Sequence, residues 1–95
     1  LSPYQPITRD FAFVVDDAVP ASQVIKAIEK ADRALITSIH IFDVYKGEKL
    51  PGGKKSLAIQ VRLEPQTGTL TDAQIGEVCD KIVSSVSKAT DGVLR

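Results

Sequence analysis

The sequence predicts an α+β fold of the ferredoxin-like kind: βαββαβ, a four-stranded antiparallel sheet with two helices on one face. Three observations predict it. Segments near residues 9–16, 35–47 and 55–65 are strand-like, by two-residue alternation or by β-branched and aromatic content. Two others carry apolar residues at helical spacing. Their order along the chain, closed by a short apolar tail, leaves few topologies once crossovers are right-handed.

"RDFAFVVD", Arg9 to Asp16, puts Phe11, Phe13 and Val15 on one face and Asp10, Ala12 and Val14 on the other. Pro20 then stands where a first helical turn begins. "ASQVIKAIEKA" follows, with Val24, Ala27, Ile28 and Ala31 at helical spacing and Lys26, Glu29 and Lys30 on the wet side. "LITSIHIFDVYKG" is a strand with apolar groups on both faces. Strict alternation puts Ile39, Ile41, Asp43 and Tyr45 on one side and His40, Phe42 and Val44 on the other. In "KSLAIQVRLEP", Leu57, Ile59, Val61 and Leu63 point one way and Ser56, Ala58, Gln60 and Arg62 the other. The second helix is "TLTDAQIGEVCDKIVSSVSKAT". Thr71 and Gln74 fit a capping box, and Asp72 suits the positive end of the helix dipole. Its stripe is Ile75, Val78, Cys79, Ile82, Val83 and Val86. "DGVLR" supplies a turn and a last strand. Two helices cover one sheet face. The open face is expected to carry Ala12, Val14, Asp43, Tyr45, Ser56, Ala58, Gln60 and Arg62.

Ninety-five residues suffice for one core. We divide them into a linker end and N-terminal segment, 1–8, and one domain, 9–95. No apolar run approaches the roughly 20 residues of a membrane span, and no signal segment opens the chain. The chain has no Met, even at its start, and reads as a domain of a longer polypeptide. Cys79 is the sole cysteine, so no internal disulfide can form; a reducing, cytoplasmic setting is expected. Net charge is zero, which argues against a strong free-standing nucleic-acid binder. Its distribution is uneven. Lys46, Lys49, Lys54, Lys55 and Arg62 face only Glu48 in that stretch, a local excess of four.

"FDVYKGEKLPGGKKS" superficially resembles a phosphate-binding loop. That loop needs G-x-x-x-x-G-K-[ST] between a strand and a helix. Here five residues separate Gly47 from Gly53, two lysines precede Ser56, and a strand follows. No helix N-terminus is offered to a phosphate. Two readings remain: a hairpin loop with solvated lysines, or a basic fringe meeting nucleic-acid phosphates beside a binding sheet. His40, the lone histidine, lacks partners for a metal site and reads as structural or solvated. Cys79 reads as a buried, inert thiol. Asp16 and Asp17 read as turn residues rather than an acid–base pair. Acylphosphatases share this fold but need a Gly-rich, Arg-bearing loop where this chain has "DDAVPAS"; copper chaperones need C-x-x-C, absent here. Tyr45 is either a plain cross-strand partner or a platform for an unstacked base.

"TRDFAFVVD", "IFDVYKGEKLPGGKKSLAIQVRL", "TLTDAQI" and the ending "GVLR" resemble, from about Pro3 to Arg95, the ferredoxin-fold anticodon-binding domain that closes the β subunit of bacterial phenylalanyl-tRNA synthetases. The resemblance implies a noncatalytic module that contacts the anticodon stem-loop of phenylalanine tRNA. Tyr45 would stack on an anticodon base, with Asp43 and Ser56 beside it. We add Ala58, Gln60 and Arg62 because they share the inferred face, and Lys46, Lys54 and Lys55 on electrostatic grounds. The family implies a parent α2β2 enzyme that joins phenylalanine to tRNA with ATP and magnesium. Its catalytic site lies in the α subunit and its editing elsewhere in β. No cofactor is expected in these 95 residues, and no membrane partner. The competing expectation is an interaction module whose open sheet docks on protein.

Overall fold

A computed structural model describes residues 5–47 and 49–95. Leu1 to Tyr4 of the expected linker, and Glu48 of the loop, lie outside the described residues. The elements are β1 (Ile7–Asp16), α1 (Ala21–Ala31), β2 (Ile36–Tyr45), β3 (Lys54–Leu63), α2 (Asp72–Thr90) and β4 (Val93–Leu94). β1 thus takes in Ile7 and Thr8, which the sequence reading left in the N-terminal segment. The four strands form one sheet in the order β2-β3-β1-β4, every neighbour antiparallel. This is the predicted ferredoxin-like arrangement.

Both helices pack on one face. Phe11, Phe13 and Val15 of β1 and Leu57, Ile59, Val61 and Leu63 of β3 meet Val24, Ala27 and Ile28 of α1 and Val78, Ile82 and Val86 of α2; all are buried. Each such Val, Leu, Ile or Phe side chain stabilises the fold by roughly 1.5–3 kcal/mol relative to exposure. Cys79 is only partly buried, at the margin of the stripe, which corrects the fully buried reading.

α1 starts at Pro20, whose extended backbone leads in without a side-chain cap. α2 starts with the predicted capping box: Thr71 Oγ1 accepts from the Gln74 amide at 3.1 Å, and Gln74 Oε1 accepts from the Thr71 amide at 2.9 Å. Its C-terminus closes with Asp91 in the left-handed region, the Asp91 amide donating to the Ser87 carbonyl. Gly92 follows where a Cβ would fall 2.8 Å from Val15 Cγ1, so only glycine lets the chain turn this closely into β4.

β2 departs from strict alternation. Its register against β3 runs Ile39 to Val61 and Ile41 to Ile59, then slips, resuming with Asp43 at Ala58, Val44 at Leu57 and Tyr45 at Ser56. Phe42 is the extra residue of a β-bulge, and Thr37 is that of another. Ile39 and Ile41 therefore pack against the core beneath the helices, whereas Asp43 and Tyr45 lie on the opposite face. The expectation that these four residues share a side is overturned. The bulge also places His40, opposite Gln60, on the same face as Tyr45.

Candidate nucleic-acid interface

The face away from the helices is built from cross-strand rows. Val14, Ser56 and Tyr45 form one row across β1, β3 and β2. Ala12, Ala58 and Asp43 form the next, then Asp10, Gln60 and His40, then Thr8, Arg62 and Ser38. Asp43, His40, Gln60 and Arg62 are exposed; Tyr45 and Ala58 are half-buried. The open face thus brings together Tyr45, Asp43, Ser56 and Ala58 as adjacent residues, with Gln60 and Arg62 one and two rows away. Ser56 is only 4% exposed, so it underlies the site more than it presents a surface.

A participant the sequence reading did not assign is Arg95. Its amide donates to the Ala12 carbonyl at 2.7 Å, which extends the β4–β1 pairing by one residue and sets Arg95 beside the Ala12–Ala58–Asp43 row. Its guanidinium carbon lies 5.5 Å from the centroid of the Tyr45 ring. β4 and β2 are opposite edges of the sheet, three gaps of about 4.8 Å apart. Arg95 and Tyr45 therefore reach toward one another across β1 and β3, over the small residues Ala12, Ala58 and Ser56. The contact is a cation–π pair. One signal was available in the sequence: continuing the alternation of β4 past Leu94 puts Arg95 on the face of Ala12.

Three lysines around the loop, Lys46, Lys54 and Lys55, are occupied within the chain. Lys46 Nζ lies 2.8 Å from Asp17 Oδ1, and Lys54 pairs with Asp16. Lys55 stands opposite Val15 in register, on the helix-facing side, and donates to the Asp17 carbonyl at 3.0 Å. Lys55 is thus not on the open face. Arg62 Nε donates to Glu64 Oε1 at 2.9 Å. The hydrogen bond from Lys46, and then its charge, hold the Asp17 carboxyl below its ordinary range, with Lys55 adding to the effect. Asp17 is a turn residue, as read, whereas Asp16 is the last residue of β1; both are the counter-charges of the basic fringe. In the loop the Leu50 amide donates to the Gly47 carbonyl and the Lys54 amide to the Pro51 carbonyl. β3 follows directly, so the loop lacks the helix a nucleotide phosphate site requires.

Among the described residues, no group of three or more His, Cys, Asp or Glu could hold a metal ion. A shallow groove of about 470 Å³ runs between α1 and β2, lined by residues that include Glu29, Arg33 and Ile36; it takes in no part of the Tyr45 row. The open face is a broad surface that carries the Tyr45 ring, a shape suited to a flat, extended ligand. No helix among the described residues is long and apolar enough to cross a membrane.

The family model described as "Ferredoxin-fold anticodon binding domain" matches residues 2–95. Over 95 residues, the whole of this chain, identity is 54% to the phenylalanine–tRNA ligase beta subunit of Rhodospirillum rubrum and 50% to that of Brucella abortus. It is 45% to that of Nitrobacter winogradskyi. The chain spans about 12% of the length of each of these curated relatives.

Proposed function

The chain belongs to the ferredoxin-fold anticodon-binding domain family, and from that premise we propose that its open sheet face binds the anticodon stem-loop of phenylalanine tRNA. The module is noncatalytic. It serves a cytoplasmic phenylalanine–tRNA ligase β subunit, within an α2β2 assembly whose α subunit carries the ATP- and magnesium-dependent chemistry. The observation that carries the reading is the Tyr45 ring on that face, bracketed by Asp43 and Arg95.

An unstacked base takes the face of the Tyr45 ring, a contact indifferent to sequence because every base has a π face. Asp43 is an acceptor-only group beside the ring and selects a base edge that donates hydrogen bonds. Ser56 offers a hydroxyl that both donates and accepts, reached only when the groups above it shift. Ala58 keeps the floor low, and Gln60 and Arg62 extend the polar surface. Arg95 is displaced from the ring by the base and turns its donors to the base or an adjacent phosphate. Lys46 and Lys54 fringe the site for phosphates; Lys55 supports that fringe from behind.

Titrating the anticodon stem-loop of phenylalanine tRNA into the labelled chain, followed by NMR, tests the assignment. Amide shifts should cluster on Asp43, Tyr45, Ser56, Ala58 and Arg95, and Tyr45→Ala should cost roughly 1–3 kcal/mol of binding. Shifts confined to α1 and α2, or unchanged affinity after Tyr45→Ala, would overturn it.

A further inference from the structure

We propose that Gly47 is the seat of the Tyr45 ring: the missing side chain at position 47 sets where the ring lies on the open face. A Cβ built at Gly47 would fall 2.2 Å from Tyr45 Oη, 2.5 Å from Cζ and 3.0 Å from Cε2. Real Cβ atoms do not approach other atoms that closely. The ring lies over the Gly47 backbone in space that any other residue would fill.

The backbone gives no other reason for glycine here. The positive-φ glycines among the described residues are Gly53 and Gly68, and Gly47 is not one of them. Alanine at position 47 therefore meets no left-handed strain. The three atoms it meets most closely all belong to Tyr45. The atoms it meets are the far end of a side chain with two rotatable bonds, so the ring yields and the backbone does not. The same ring carries the Arg95 guanidinium, 5.5 Å from the centroid. A ring pushed off Gly47 changes its place relative to that guanidinium and its tilt over the Ser56–Ala58 floor. Gly47 is thus a positioning residue acting through Tyr45. Its importance for RNA rests on the reading of Tyr45 as a base platform; its importance for the ring does not.

The two are separable in one experiment. The Hδ and Hε resonances of Arg95 report the Tyr45 ring current, and Tyr45→Leu supplies their value without a ring. In Gly47→Ala these resonances should move most of the way to the Tyr45→Leu values, and Gly47→Ser should move them at least as far. The melting temperature should stay put, since position 47 is exposed. Stem-loop affinity should fall about tenfold, within the range of one stacked base, and Gly47→Ala should add nothing in a Tyr45→Leu background. Arg95 resonances that stay at their wild-type positions in both variants overturn the proposal. Resonances that move while stem-loop affinity holds in Gly47→Ala and Tyr45→Leu alike uphold the seat and overturn the base platform.

Discussion

The Lys46 ammonium stands 2.8 Å from the Asp17 carboxylate on the rim of the sheet, and both side chains are well exposed. Water and salt screen such a pair, so its worth is small in stability and larger in what it reports. The hydrogen bond and charge of Lys46 depress the Asp17 titration. A depressed folded value means that the stabilisation is present above the unfolded value and is lost as pH falls through the folded one. Replacing Lys46 by Ala should raise the Asp17 carboxyl toward the ordinary aspartate range, as read from its carboxyl carbon shift between about pH 2 and 6. An unchanged titration would show that the pair does not persist in solution. Cys79 behaves in the opposite sense. Burial pushes its thiol up, with Arg9 opposing and Asp80 adding. It stays protonated at neutral pH despite being partly open, which makes it a poor nucleophile.

At the scale of elements, α2 was the most legible part of the sequence because its signals agree. Thr71 and Gln74 stand at capping-box spacing, Asp72 opens the first turn, and the apolar stripe holds its period from Ile75 to Val86. Removing the cap should therefore have an effect without propagating. Thr71→Ala should destabilise the fold by about 1 kcal/mol in denaturant melts, and Thr71→Ser should recover most of it. β2 was the least legible. Its face assignment depends on Phe42 being extruded, and a bulge adds one residue without any composition signal. Alternation by itself put Ile39 and Ile41 with Tyr45, a face that would expose two isoleucines. The burial requirement of the core contradicts that, and this was the only hint of the bulge in the sequence. The same slip decides the candidate site, because it turns Asp43 and Tyr45 outward while Ile39 and Ile41 remain inward. Arg95 was hard to assign for another reason. Its partner lies fifty residues away in sequence and on the far edge of the sheet, so the contact exists only once all four strands are assembled.

Across the whole molecule, twelve basic and twelve acidic residues cancel, and the local excess of cations near the loop is itself largely spent on Asp16, Asp17 and Glu64. Linear sequence showed the lysines as a cluster. The antiparallel pairing of β1 with β3, which sets Asp16 opposite Lys54, shows why the cluster is not a free positive patch. A phosphate that approaches Lys46 or Lys54 must compete with a carboxylate already in place. Each contact then releases fewer counterions than a bare lysine would, and the bound RNA gains less as salt is lowered. This fits a module that works at the high effective concentration of a larger enzyme rather than by its own affinity. Neutralising the counter-charges should reverse the effect. In Asp16→Asn/Asp17→Asn, the stem-loop should bind more tightly at low salt. The slope of log affinity against log salt should steepen by roughly 0.7 for each phosphate newly engaged. Titrations between 50 and 200 mM salt, about the range over which such slopes are read, would measure it. An unchanged slope would mean that Lys46 and Lys54 never meet the RNA, leaving recognition to the ring, Asp43 and Arg95.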